Sequence, residues 1–288
     1  MNHYDYDKFL VFLDWIVQEF DTPKPATCLD HIEKFGSLPD NTALLTFDDG
    51  LRDHYHWVYP ALKERGLSGL FFVSSQPLIQ KGVLRVHKSH ILYGAMGYEW
   101  FRDEFTKEYL SNGGKSEDLT NSGAVTAYPY DTKVIANFKY AMNFVIERSI
   151  TELIVDRMMK TVVKAGAIGE EFYLNAEQMI EMRDNGMCFG FHGHSHEAFC
   201  TLGMREFEIE IEKSKEVFEE ILGEKTKSIS FPYGDANCIR QDQLQSLEKY
   251  ELRVGFMAES CNASRLGFPR KDCLEAVVEL LKPGQILR

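Results

Sequence analysis

Six cysteines are scattered along the 288 residues, at Cys28, Cys188, Cys200, Cys238, Cys261 and Cys273, and no two of them form a Cys-x-x-Cys pair. That spacing excludes a zinc ribbon and a dithiol redox motif. A chain of this length can bury enough apolar surface to hold its core without disulfides, so the cysteines read as reduced thiols of a cytoplasmic protein. Positive charge is scarce too: 32 Lys and Arg stand against 44 Asp and Glu, a net charge of -12. Such a balance repels phosphate backbones and acidic lipid, which argues against nucleic acid or an anionic membrane as partner. Long apolar runs are missing, so no stretch reads as a membrane span. The short run Phe9 to Leu13 is flanked by Asp5, Asp7 and Asp14 and followed by no small-residue cleavage site, which does not fit a secretory leader. There is no internal repeat and no low-complexity tract.

What the chain does have is apolar residues at 44%, with 20 Phe and 13 Tyr, arranged with alternating strand and helix periods. Phe9, Leu13, Ile16 and Phe20 recur at the helix spacing, and a short helix follows around 28–35. Ala43 to Phe47 reads as a buried strand, Tyr55 to Arg65 as a helix closed by Gly66, and Leu67 to Val73 as a second strand. Strand, helix, strand in that order implies a parallel sheet. From about 76 to 170 the pattern turns mostly helical, with Trp100 to Leu110 and Phe138 to Lys164 as its long helices. Asn175 and Gln178 then form a capping box, and Asn185-Gly186 ends the helix it opens. Strands follow at 187–191, 227–231 and 252–257, with a charged amphipathic helix from Glu206 to Leu222. The expectation is one α/β domain over 1–288, an irregular barrel of strands and helices, with a helical insertion at about 76–170.

Three strand ends carry unusual polar groups. The first runs into Thr46-Phe47-Asp48-Asp49-Gly50, two adjacent carboxylates and a residue free to turn sharply. The second runs into His192-Gly193-His194-Ser195-His196 and the third into Pro232-Tyr233-Gly234. In parallel sheets the carboxyl ends of the strands share one side, and that side holds the site. Imidazoles with a carboxylate are ordinary zinc ligands. If the second segment stays extended, His192 and His194 share a face; if it turns helically, His192 and His196 do. Taken alone, Asp-Asp-Gly could equally be a plain turn.

Together the motifs resemble the polysaccharide deacetylase family, the NodB-homology group of carbohydrate esterases. Thr46 to Gly50 matches its first motif in full, and His192 and His196 match its His-x-x-x-His motif, with Gly193 where a hydroxyl usually stands. Phe231 to Gly234 resembles its third motif. The resemblance covers about 5–75 and 172–275 and implies an irregular (β/α) barrel. It implies a divalent metal, zinc first with cobalt, nickel or manganese as alternatives, on Asp49, His192 and His196. Asp48 would be the general base, and the backbone N–H of Tyr233 would steady the oxyanion. His194 would then point away from the other two.

The chain departs from the family at three places. Ser230 stands near the position of the Arg that pairs with the base, and Arg270 is the candidate substitute. No His follows His196, so the family's late acid is missing, and no Trp follows Trp100. His87 and His90, just after the second strand, are the candidates for the general acid, on an insertion acting as a lid. His54 and His56 are expected to face solvent. The expected activity is removal of an N-acetyl or N-formyl group from a small or carrier-linked amino sugar in surface-glycan synthesis. The alternatives are hydrolysis of another small amide and an inactive metal- and sugar-binding module.

Overall fold

A computed structural model describes residues 5–120, 128, 131–162, 172–234, 237–258 and 266–271. They fall into two compact units, one within Lys81–Glu170 and the other formed by Asn2–Gln80 with Glu171–Arg288. Cys261 and Cys273 lie outside the described residues; Cys28, Cys188, Cys200 and Cys238 are free thiols.

The larger unit is an irregular (β/α) barrel. Its strands are β1 (Leu45–Phe47), β2 (Gly69–Val73), β3 (Cys188–Phe191), β4 (Ser228–Ser230), β5 (Val254–Met257) and β6 (Phe268–Pro269). All are parallel and lie side by side in chain order. Inner strands are covered on both faces, and every residue of β2, β4 and β5 is buried. The first strand differs from the sequence expectation: Leu45, Thr46 and Phe47 are only half-buried, because β1 is an edge with a single neighbour. The two-residue β6 has no counterpart among the expected strands; its run is too short to show a period.

Helices α1 (Tyr6–Glu19) and α2 (Pro25–Phe35) precede the sheet. The first is capped by Asp5 and buries Phe12, Leu13 and Ile16; the second is closed by Gly36 in the left-handed region. After β1 the chain makes a π-helical turn, His54–Val58, before α3 (Tyr59–Glu64). After β2 comes α4 (Gln76–Ile79).

In the helical unit, α5 (Arg85–Met96), α6 (Tyr98–Ser111), α7 (Lys133–Tyr140) and α8 (Arg148–Val162) enclose a core of Leu92, Phe101, Phe105, Phe138, Ile154 and Val155. The single helix expected from Phe138 to Lys164 is broken by a π turn at Ala141–Val145, whose last hydrogen bond runs from Ile146 N to Ala141 O. Extended backbone at Ile146 then lets α8 start in a new direction. Val163 and Lys164 lie outside the described residues.

Back in the barrel unit, α9 (Ala176–Asp184) is opened by the Asn175–Gln178 capping box. Helix α10 (Met204–Leu222) buries Phe207, Ile211, Val217 and Phe218 and is closed by Gly223, and α11 (Gln241–Ser246) precedes β5. No helix among the described residues is long and apolar enough to cross a membrane.

Candidate metal centre and active site

At the end of β1 the chain turns through two consecutive left-handed residues, Asp49 at φ 79° and Gly50 at φ 69°. Gly50 is required there twice over, since a Cβ would also lie 2.5 Å from Val73 Cγ1. Among the described residues only five non-glycines have positive φ, and three of them are Asp49, His196 and Tyr233. Backbone held in this sparsely populated region costs of order 1 kcal/mol or more per residue and persists where the surroundings enforce it. Here it falls on Asp49 and His196, whose side chains face each other, and on Tyr233, whose ring packs against His196.

His192 follows β3 directly, and its N–H donates to Val73 O on the neighbouring strand at 3.1 Å. Its Nδ1 lies 2.9 Å from the carbonyl oxygen of Ser230, the last residue of β4. A carbonyl can only accept, so Nδ1 carries a proton and Nε2 is the nitrogen left to bind a cation. That Nε2 lies 3.4 Å from Asp49 Oδ1, and His196 Nε2 lies 3.1 Å from the same oxygen. The loop therefore turns, and His192 and His196 share the face. Their rings meet edge-on at 4.8 Å.

The three ligand atoms lie within 4.8 Å of one another. Nitrogen and carboxylate oxygen bind zinc at roughly 2.0–2.2 Å, which places neighbouring ligands about 3–3.6 Å apart. The observed separations from Asp49 fit that spacing, and the donor set leaves room for a further ligand.

Asp48 stands next to this triad and is held differently. Arg270, just past β6, donates from Nη1 to Asp48 Oδ1 at 2.8 Å and from Nη2 to Oδ2 at 2.7 Å. Ser230 Oγ lies 3.2 Å from the same Oδ2 and accepts from Arg270 Nη2 at 2.9 Å. Arg270 Nη1 also reaches Thr46 Oγ1 at 3.3 Å. Burial alone would raise the Asp48 pKa, but the charges of Arg270 and His192 and the Arg270 hydrogen bond together hold it below the usual carboxylate range. Burial lowers the His192 pKa, yet the charge of Asp48 and the contact with Asp49 carry it above the ordinary imidazole value.

Tyr233 completes the cluster, with φ 69° and its ring 5.4 Å from that of His196. His194 is buried and lies apart from the triad, with Nδ1 2.8 Å from Ser75 Oγ. His87 and His90 lie on α5 of the helical unit, their rings 6.0 Å apart, His87 buried and His90 half-buried. His56 is exposed as expected, but His54 is not: it is 9% exposed and wedged against Phe47 and Phe71. The π turn carries its ring inward. Burial outweighs the nearby charges of Asp49, Asp48 and Asp53 and depresses its pKa to about 4.

Sequence reasoning missed Glu210. Its carboxylate, 6% exposed on α10, accepts from the N–H groups of His194 and Ser195 and from Ser195 Oγ. The available signal was a carboxylate in register with Phe207, Ile211 and Ser214 on the buried face of the helix.

Known proteins share this fold. The polysaccharide deacetylase family profile matches residues 36–112 and 136–255, well over half of the chain. YxkH of Bacillus subtilis, itself provisionally named a polysaccharide deacetylase, is 30% identical over 109 residues, and that match spans 38% of each chain. Among solved structures, IcaB from Ammonifex degensii is similar with a TM-score of 0.54 at 16% identity, covering 92% of this chain and 82% of that one. The deacetylase PplD of Streptococcus pyogenes, solved in complex with acetate, gives 0.51 at 17% identity over 92% and 78%. The deacetylase domain of BpsB from Bordetella bronchiseptica gives 0.53 at 14% identity over 90% and 81%. The fold is shared with all three, and by the extent of its profile match this chain belongs to the polysaccharide deacetylase family.

Proposed function

We propose that this chain is a metal-dependent amide hydrolase that removes an N-acetyl or N-formyl group from an amino sugar. The observation that carries the reading is the division of labour between two adjacent carboxylates. Asp49 faces two imidazole nitrogens, while Asp48 is gripped by an arginine. Asp49, His192 and His196 would hold a divalent cation, zinc by its preference for nitrogen and carboxylate donors. When bound, such a cation lowers the pKa of water and polarises a carbonyl oxygen.

The chain's own residues then have distinct tasks. Asp48 is kept ionised by Arg270 and accepts a proton from water as its oxygen adds to the acyl carbon. The bidentate grip uses one lone pair on each carboxylate oxygen and leaves others to receive that proton. The backbone N–H of Tyr233 donates to the developing oxyanion. As the carbon–nitrogen bond breaks, the amine takes up a proton and leaves, and the acyl group departs as a small carboxylic acid. Asp48 can return the proton it took; His87 and His90 are the other candidates for this step.

A small or carrier-linked amino sugar of surface-glycan synthesis, handled in the cytoplasm, is the substrate class this reading favours. The free thiols of Cys28, Cys188, Cys200 and Cys238 suit a reducing compartment and support it. The test is a panel of N-acetyl and N-formyl amino sugars, free and nucleotide-linked, incubated with zinc-loaded protein. Release of free amine with matching acetate or formate is expected. No release from any member would overturn the catalytic reading in favour of a binding module.

A further inference from the structure

We infer that Glu210 is a positioning residue for the proposed metal centre, setting the affinity of the histidine loop for its cation; this rests on the metal reading above. The loop His192 to Ser195 is tied along both sides. From β2 and its extension, Ser74 Oγ donates to His192 O, Ser75 N to Gly193 O and Gln76 N to His194 O, at 3.0, 3.2 and 2.9 Å. A further tie comes from α10. Glu210 Oε2 accepts from His194 N and Ser195 N, each at 2.8 Å, and Oε1 accepts from Ser195 Oγ at 2.7 Å. One carboxylate thus satisfies two consecutive amides immediately before His196, which is held at φ 59°.

Gly193 has no hydroxyl to brace the loop from within. Its φ is 71°, and a Cβ at this position would lie 3.2 Å from the Phe199 ring and 3.4 Å from Glu210 Oε2, which leaves little room for a side chain. The brace is instead supplied from α10. Helix α10 is anchored by Phe207, Ile211 and Phe218 in the main core, so the carboxylate sits on a rigid element. Groups that hydrogen-bond directly to a metal-bound side chain change metal affinity about 10- to 100-fold when lost. Glu210 acts one step further out, through the loop backbone before His196, so the lower end of that range is expected. Ser75 Oγ, 3.3 Å from Ser214 Oγ, joins His194 to the same helix and adds a second, weaker tie.

The experiment compares the parent with Glu210→Gln and Ser195→Ala. Zinc affinity is measured by competition with a chelating dye, and the fold of metal-free protein by circular dichroism. Glu210→Gln keeps the size of the side chain but removes its charge, so the two amides face a neutral, weaker acceptor and Ser195 Oγ faces an NH2 group. It is expected to retain the fold and lose about 10-fold in zinc affinity, with Ser195→Ala losing less. In the cobalt-loaded protein, the visible absorption of Glu210→Gln should differ from that of the parent. A folded Glu210→Gln with parental zinc affinity would overturn the proposal. Should that variant not fold, a folded Ser195→Ala with parental affinity would overturn it equally. If the parent itself binds no zinc, the metal centre is wrong and this inference falls with it, an outcome distinct from parental binding with unaffected variants.

Discussion

Arg270 grips Asp48 by both carboxylate oxygens, at 2.8 and 2.7 Å, although the two residues follow the last and first strands of the sheet. Among the described residues β1 and β6 are not hydrogen-bonded neighbours, so this ion pair, with Thr46 and Ser230 beside it, ties the two ends of the sheet across the site. Arg270 is 16% exposed, and the pair is shielded enough for its geometry to matter.

Arg270→Lys keeps the charge but cannot form two parallel hydrogen bonds with the carboxylate. Steady-state kinetics should show kcat reduced about 10-fold or more, because the proposed base is no longer held in place, while zinc content stays at the parental level. Parental kcat in this variant would mean that Asp48 needs no bidentate partner.

The histidine loop predicts opposite results for two neighbours. His196→Ala removes a nitrogen 3.1 Å from Asp49 Oδ1 and should strip most of the bound metal. His194→Ala should retain it, since that ring bonds to Ser75 instead. Elemental analysis of the two purified variants decides the matter; the reverse pattern would contradict the assignment of ligands.

His54 should make the metal-free fold acid-sensitive. Its pKa is depressed to about 4 in the fold, whereas in the unfolded chain it sits near the ordinary 6.5. Between those values the unfolded state binds the proton and the folded state does not. Stability is therefore full above pH 6.5 and is lost as pH falls toward 4. Comparing urea unfolding of parent and His54→Gln at about pH 7 and about pH 4.5, the parent should lose about 2–3 kcal/mol more than the variant. Equal losses would show that the buried ring is not the source.

The source of the amine's proton is tested by His87→Gln and His90→Gln. If one of these histidines is the acid, its variant should keep zinc and lose about 100-fold in kcat, with the alkaline limb of the pH–rate profile altered. Unchanged kcat in both assigns the proton to Asp48 in both directions.

Much of the barrel is legible in the sequence because parallel strands announce themselves as short apolar runs ending in glycine or polar residues. Asp48-Asp49-Gly50 alone could be a plain turn and the histidine segment alone leaves two pairings open; only the order of the motifs together, and the family resemblance it carries, points to Asp49, His192 and His196. Arg270 can be named from sequence only as a candidate, because nothing local tells a surface arginine from one reaching across a sheet. Glu210 is hidden in a helix rich in glutamates, where one buried carboxylate looks like its exposed neighbours. His54 defeats the helical reading because a π turn shifts the phase, and Ala141–Val145 breaks a helix for the same reason: apolar spacing does not encode an extra residue per turn.

The most direct test of the account is the turnover of zinc-loaded Asp48→Asn. Asparagine fills the same space but cannot take a proton from water. With an N-acyl amino sugar that the parent hydrolyses, and acetate or formate release measured under single-turnover conditions, the variant should bind zinc as the parent does. It should lose about 100-fold or more in rate. Near-parental release by Asp48→Asn at full zinc occupancy would contradict the assignment of Asp48 as the base and with it the proposed mechanism.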